Sequence, residues 1–177
     1  DMEKTTLRLL RAINENERIG IFGDYDVDGA SSTALIGNYL KRLNQKFEIY
    51  IPDRILEGYG PSIKSFQKLI NRNVDLIITV DCGTMSYKSI DFANKNKVDV
   101  IVLDHHQSEI KLPNAYSIIN PNRFDDNSNL NYLCAAGVCF MTLVALNSNL
   151  RSNGWFKKNN IAEPNLLDFL DLVSLGT

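Results

Sequence analysis

Short apolar runs recur along the chain, with enough residues between them for a helix. Ile19 to Phe22, Phe47 to Ile51, Leu76 to Val80, Val100 to Leu103 and Tyr116 to Ile119 have the length and the β-branched or aromatic content of strands. Between most of them the apolar positions return at helical spacing. Ala30 to Leu43 gathers Ala34, Leu35, Leu40 and Leu43 near one face, and Ser62 and Ser86 stand where N-caps of the next two helices belong. Strands alternating with helices predict a parallel sheet. The runs at Leu76–Val80 and Val100–Leu103 are apolar at consecutive positions, as expected for strands covered on both faces.

Beyond the fifth run, Asn120 to Asn131 is rich in Asn and Asp around Pro121 and reads as a long loop. A buried helix is expected from Ala135 to Leu146, and a further helical run from Leu166 to Leu172 behind Pro164 and Asn165. The abrupt stop at Val173-Ser-Leu-Gly-Thr177 suggests a fragment boundary. The expected fold is α/β: a doubly wound, mainly parallel five-stranded sheet of order 2-1-3-4-5, flanked by helices, with additional helices at the C-terminus.

Composition narrows this picture without changing it. A chain of 177 residues, 44% hydrophobic and 23% charged, suits one domain with a genuine core. A net charge of −2 argues against a surface that grips nucleic acid by charge alone, so any such grip must be local or shared. The three cysteines form no CxxC pair, which disfavours a disulfide framework and a zinc knuckle. With no apolar run of membrane-spanning length and no leader pattern, the expected setting is soluble and cytoplasmic.

Candidate chemistry sits at three strand ends. Gly23-Asp24-Tyr25-Asp26-Val27-Asp28-Gly29 follows the first strand and crowds three carboxylates into five residues. Such crowding persists in a compact fold when a cation or a raised pKa relieves it, although a solvated acidic turn capping a helix would look the same. The motif copies the start of an EF-hand loop, but the twelfth position is Leu35 rather than Glu and a strand precedes it. Val80-Asp81-Cys82-Gly83-Thr84 ends the third strand. Asp81 alone could merely cap a turn, and Cys82, with no base and orienter set apart for it, reads as a small semi-buried thiol. Leu103-Asp104-His105-His106-Gln107 ends the fourth strand and holds both histidines of the chain, a pattern suited to metal or phosphate chemistry.

In a sheet of order 2-1-3-4-5, strands 1, 3 and 4 are neighbours, and ligands bind beyond their carboxyl ends. The three motifs therefore converge on one crevice. Hard carboxylate oxygens with imidazoles suit Mn²⁺ or Mg²⁺ ahead of zinc, and a cluster this acidic can hold two ions about 3.5–4 Å apart, as in-line displacement at phosphorus requires.

Taken together, the DYDVDG, VDCGT and DHH signatures resemble the DHH phosphoesterase superfamily. Pro52-Asp53-Arg54-Ile55-Leu56-Glu57-Gly58-Tyr59-Gly60 resembles the stretch typical of its RecJ branch, the bacterial single-stranded-DNA-specific exonucleases. Asn120-Pro121-Asn122-Arg123 and Ala136-Gly137-Val138 extend the likeness over nearly the whole chain. The resemblance implies Asp26, Asp28, Asp81 and His105 as metal ligands, with Asp81 bridging two ions and Asp24 and Asp104 in support. His106 would face the scissile phosphate or help hold it, and Asp104 counts with it among the catalytic residues. Arg54 and Arg123 would contact phosphate, and Tyr59 a base or sugar, although each could equally serve a surface ion pair or a turn.

The implied activity is a 5′→3′ exonuclease on single-stranded DNA, dependent on two Mn²⁺ or Mg²⁺ ions and serving DNA repair and recombination. It would work as a monomer, alongside a helicase or single-strand-binding protein. Its rivals are a phosphodiesterase or phosphatase for short oligonucleotides or cyclic dinucleotides, and an inactive DHH scaffold. Two departures stand out. Phe22 occupies a position where some members carry a histidine ligand, and the family's fourth motif, with another aspartate, would fall just beyond Thr177. The resemblance makes residues 1–177 a catalytic domain truncated before that motif and before the C-terminal domains.

Overall fold

The computed structural model describes residues 1–177 throughout. Five strands, β1 (Ile19–Phe22), β2 (Phe47–Tyr50), β3 (Leu76–Val80), β4 (Asp99–Leu103) and β5 (Ser117–Ile119), form one parallel sheet of order β2-β1-β3-β4-β5. The expected strand order and doubly wound plan are therefore observed.

Consecutive apolar residues in the strands feed two cores, because alternate side chains point to opposite faces. Ile19, Ile21, Leu76, Ile78, Val80, Ile101 and Leu103 pack beneath α1 (Met2–Asn14), α2 (Val27–Arg42) and α5 (Ala135–Ser152). Phe22, Ile77, Val100, Val102 and Ile118 face α3 (Ile63–Ile70) and α4 (Tyr87–Lys95). The chain closes with α6 (Trp155–Asn159), a 3₁₀ turn at Leu166–Phe169 and α7 (Leu170–Gly176). No helix is long and apolar enough to cross a membrane.

Local chemistry sets where the helices start. Asp26 caps α2, its Oδ1 accepting from Gly29 N at 2.9 Å, so the helix opens three residues before Ala30 and takes in half of the acidic motif. Ser62 caps α3 in a reciprocal box with Ser65. Ser86 does occupy the N-cap of α4, but its side chain makes no capping bond.

Helix α1 has no counterpart in the sequence reading. Its buried stripe holds Leu9, Ala12 and Ile13 together with Thr5, Thr6 and Arg8. Tertiary partners absorb the polar members. Thr5 Oγ1 donates to Ser117 Oγ at 2.7 Å, and the Arg8 guanidinium meets Glu17 at 2.8 Å and Asp99 at 2.6 Å, at the sheet end remote from the three motifs.

Candidate metal centre

The three motifs meet beyond the carboxyl ends of β1, β3 and β4. One donor set joins Asp24, Asp26 and Asp81, and a second joins Asp81, His105 and His106, each with its ligand atoms within 4.8 Å of one another. Asp81 belongs to both. It lies at the middle strand end, so the β1 loop reaches it from one side and the β4 loop from the other.

The VDCGT letters have specific local reasons. Asp81 adopts φ +59, a left-handed conformation that Asp tolerates better than most residues. Cys82 is buried, its thiol bonds Val80 O, and burial pushes its pKa well up, so it is an inert core thiol. Gly83 is required at φ +111, where a Cβ would also come within 2.5 Å of Thr79 Oγ1.

The electrostatics are those of a site short of positive charge. Asp81 is 1% exposed, and burial, reinforced by Asp28 and Asp26, raises its pKa to about 6 against the partial relief offered by His105. Burial also raises Asp24, with Asp26 adding to the effect and the Tyr25 backbone N–H opposing it. Asp24 Oδ1 and Asp81 Oδ1 are buried without a hydrogen-bond partner. His105 Nε2 stands 3.3 Å from Asp81 Oδ1, within ion-pair range but not aligned as a hydrogen bond. Buried carboxylate oxygens without a hydrogen bond are costly, and a cation is the natural way to satisfy them.

Asp104 is engaged differently. Its Oδ1 accepts from His105 N at 2.8 Å, His106 N at 3.2 Å and His106 Nδ1 at 2.8 Å, while Oδ2 accepts from Thr84 N at 3.0 Å. Burial alone would raise its pKa, but these donors outweigh it and hold the carboxyl at about 2. In return Asp104 lifts His106 to about 8. Without metal, the pair contributes its full stability between pH 3.8 and 6.5, and that contribution is lost below as Asp104 protonates through about 2 and above as His106 deprotonates through about 8. Asp104 thus orients the imidazole and has little capacity left for a cation.

Asp28 stands slightly apart. Its two oxygens accept from Ala135 N at 2.7 Å and Ala136 N at 2.8 Å, which caps α5, and His105 Nε2 lies 3.5 Å away. Phe22 is fully buried and stacks on Tyr50 with ring centroids 5.6 Å apart; on its side of the site, Asp24 completes the donor set with Asp26 and Asp81.

The residues expected at DNA are dispersed. Tyr59 comes into the centre, its hydroxyl donating to Asp81 O at 3.0 Å and lying 3.3 Å from His106 Nδ1. Arg54 sits on the rim with its guanidinium 5.4 Å from the Tyr25 ring centroid. Glu57 bonds Tyr50 Oη and Lys68 Nζ, each at 2.6 Å, and anchors the loop. Arg123 is not brought to the cluster, since its guanidinium is engaged by Ile118 O, Asp1 and Asp125. A groove of about 510 Å³ runs from His106 past Tyr59, Thr84 and Met85 to Tyr87 and Lys88 at the start of α4.

The N-terminal domain of the DHH family matches residues 18–177. The chain belongs to the DHH family. Among its relatives are the single-stranded-DNA-specific exonucleases RecJ of Dickeya dadantii (strain 3937), 41% identical over 96% of the chain, and of Escherichia coli (strain K12), 41% identical over 99%. The chain spans about a third of these relatives, 30% and 31% of their lengths. A crystal structure of exonuclease RecJ bound to manganese superposes with a TM-score of 0.82 at 30% identity, covering 99% of this chain and 42% of that one. The DHH fold read from the three signatures is thus the observed one.

Proposed function

We propose that this DHH domain is the catalytic part of a Mn²⁺- or Mg²⁺-dependent exonuclease that degrades single-stranded DNA from the 5′ end in DNA repair and recombination. The observation that carries the proposal is Asp81, a buried carboxylate common to two donor sets, with one oxygen that accepts no hydrogen bond and another such oxygen on Asp24. The donors are carboxylate oxygens and imidazole nitrogens with no thiolate among them, which fits Mn²⁺ or Mg²⁺.

Asp24, Asp26 and Asp81 would hold one ion and Asp81, His105 and His106 the other, with Asp28 at the edge of the second beside His105. When bound, the ions supply Lewis-acid polarisation of the phosphodiester and activation of water. The chain's own groups supply the positioning. Asp104 accepts from His106 Nδ1 and so keeps the ring oriented, which leaves the other ring nitrogen for the ion. Tyr59 fixes the Asp81 peptide and lines the groove, and Arg54 is the rim cation suited to the incoming strand. The fourth motif and further domains would complete the cleft, in a cytoplasmic enzyme acting with a helicase or single-strand-binding protein.

Two measurements test this. Mn²⁺ at about 100 times its Kd should stabilise the chain by about 2.7 kcal/mol, provided the ion binds only the folded state, and an unchanged melting midpoint would count against a metal site. In the full-length protein, 5′-labelled single-stranded DNA should release mononucleotides with Mn²⁺ and none with a chelator. Faster turnover of dinucleotides would favour the small-substrate reading instead.

A further inference from the structure

Neither asparagine of the Asn120–Arg123 segment has a role in the chemistry above, yet both are aimed at it. Asn120 is 2% exposed and makes three bonds: its Nδ2 donates to His106 O at 2.8 Å and to Thr84 Oγ1 at 2.9 Å, and its Oδ1 accepts from Asn122 N at 2.8 Å. The partners fix which end of the amide is which, because a carbonyl can only accept and a backbone N–H can only donate. Asn122 Nδ2 in turn donates to His105 O at 2.5 Å. The carbonyls of both histidines are therefore each held by an asparagine amide from the β5 loop.

The bonds close a ring. Thr84 N donates to Asp104, Asp104 accepts from His106 Nδ1, and Asn120 joins His106 O back to the Thr84 hydroxyl. Loops from β3, β4 and β5 are locked together at the point where the imidazoles enter the donor set. The peptides of His105 and His106 have no ladder partner, so without the asparagines their orientation would rest on Asp104 alone.

We propose that Asn120, with Asn122 as its second arm, is the positioning residue that sets the two imidazoles for metal binding. This inference rests on the metal reading above. Asn120→Asp has the same shape but no N–H to donate, and it sets a negative charge against the His106 carbonyl. Outer partners of metal ligands typically account for about 10–100-fold in metal affinity or activity. Asn120→Asp in the full-length protein should accordingly weaken Mn²⁺ binding, followed by the free-ion paramagnetic resonance signal, by about 10-fold or more. It should lower kcat by a similar factor and leave KM for single-stranded DNA at saturating metal within twofold.

If that variant fails to fold, Asn122→Ala carries the test, since it removes only the His105 carbonyl's partner from a half-exposed position. It should show a smaller loss in the same sense. A folded Asn120→Asp, or in its place a folded Asn122→Ala, with Mn²⁺ affinity and kcat within twofold of the parent overturns the inference. Asp81→Asn in parallel separates the two levels: full Mn²⁺ affinity in that variant overturns the metal reading itself. Affinity lost there and kept in the asparagine variants overturns only the positioning role.

Discussion

Asp81→Asn should abolish metal-dependent cleavage while leaving the metal-free fold intact or firmer. Asparagine, like aspartate, tolerates the left-handed backbone at φ +59, so the substitution removes charge without adding conformational strain. Cleavage should fall by at least about 100-fold, the upper range for a residue that merely supports a ligand. Stability should move the other way. A carboxyl whose folded pKa is raised from 3.8 to about 6 is destabilising once ionised, with no penalty below pH 3.8 and the full penalty above about pH 6. That difference of about 2 units corresponds to roughly 3 kcal/mol in the metal-free chain at neutral pH. Melting curves should therefore place Asp81→Asn above the parent without metal at pH 7, converge with it below pH 3.8, and fall behind it when Mn²⁺ is added. A parent that outlasts the variant in chelator at pH 7 would remove the crowded-carboxylate picture of the site.

Gly29→Ala should damage the same site by adding one methyl group and no charge. A Cβ at Gly29 would stand 2.6 Å from Asp24 Cβ and 2.8 Å from the Asp24 Cα and carbonyl carbon, so the Asp24 backbone must move. Overpacking of this kind costs about 1–3 kcal/mol. At roughly 2–4 °C per kcal/mol for a chain of this size, the midpoint should drop by about 2–12 °C. Because Asp24 belongs to the donor set with Asp26 and Asp81, the Mn²⁺-induced rise should shrink as well. Gly37→Ala on the same helix is the control. Its nearest neighbour would be Phe47 Cε2 at 3.4 Å, and alanine is the better helix former by about 1 kcal/mol, so that variant should be neutral or slightly stabilised with an unchanged Mn²⁺ response. Equal behaviour of the two variants would refute the close-approach account of Gly29.

The two substitutions probe letters of two motifs that were not equally readable. Asp24, Asp26 and Asp28 invited a metal reading because carboxylates cannot crowd without relief. Gly29 carried no such signal, since its reason is the approach of a backbone five residues earlier. Asn120 and Asn122 were hidden in the same way: Asn and Asp around a proline read as a loop, and nothing local says that their amides point at another loop's carbonyls. Arg123 shows the converse, a residue of suitable chemistry whose guanidinium is occupied by Ile118, Asp1 and Asp125.

Periodicity and chemistry along the chain were enough to determine the strands, their parallel arrangement and the three strand ends that carry acids and histidines, while the order 2-1-3-4-5 was the expectation of the doubly wound class. These follow from local rules: side-chain alternation, strand length and the repulsion of neighbouring charges. Only the folded chain decided that Asp104 serves His106, that Asp28 caps α5, and that helix α1 covers the sheet with a half-polar stripe. Each depends on distances between residues remote in sequence, and a hydrogen bond or an ion site is set by ångström-scale placement, about which one-dimensional spacing is silent.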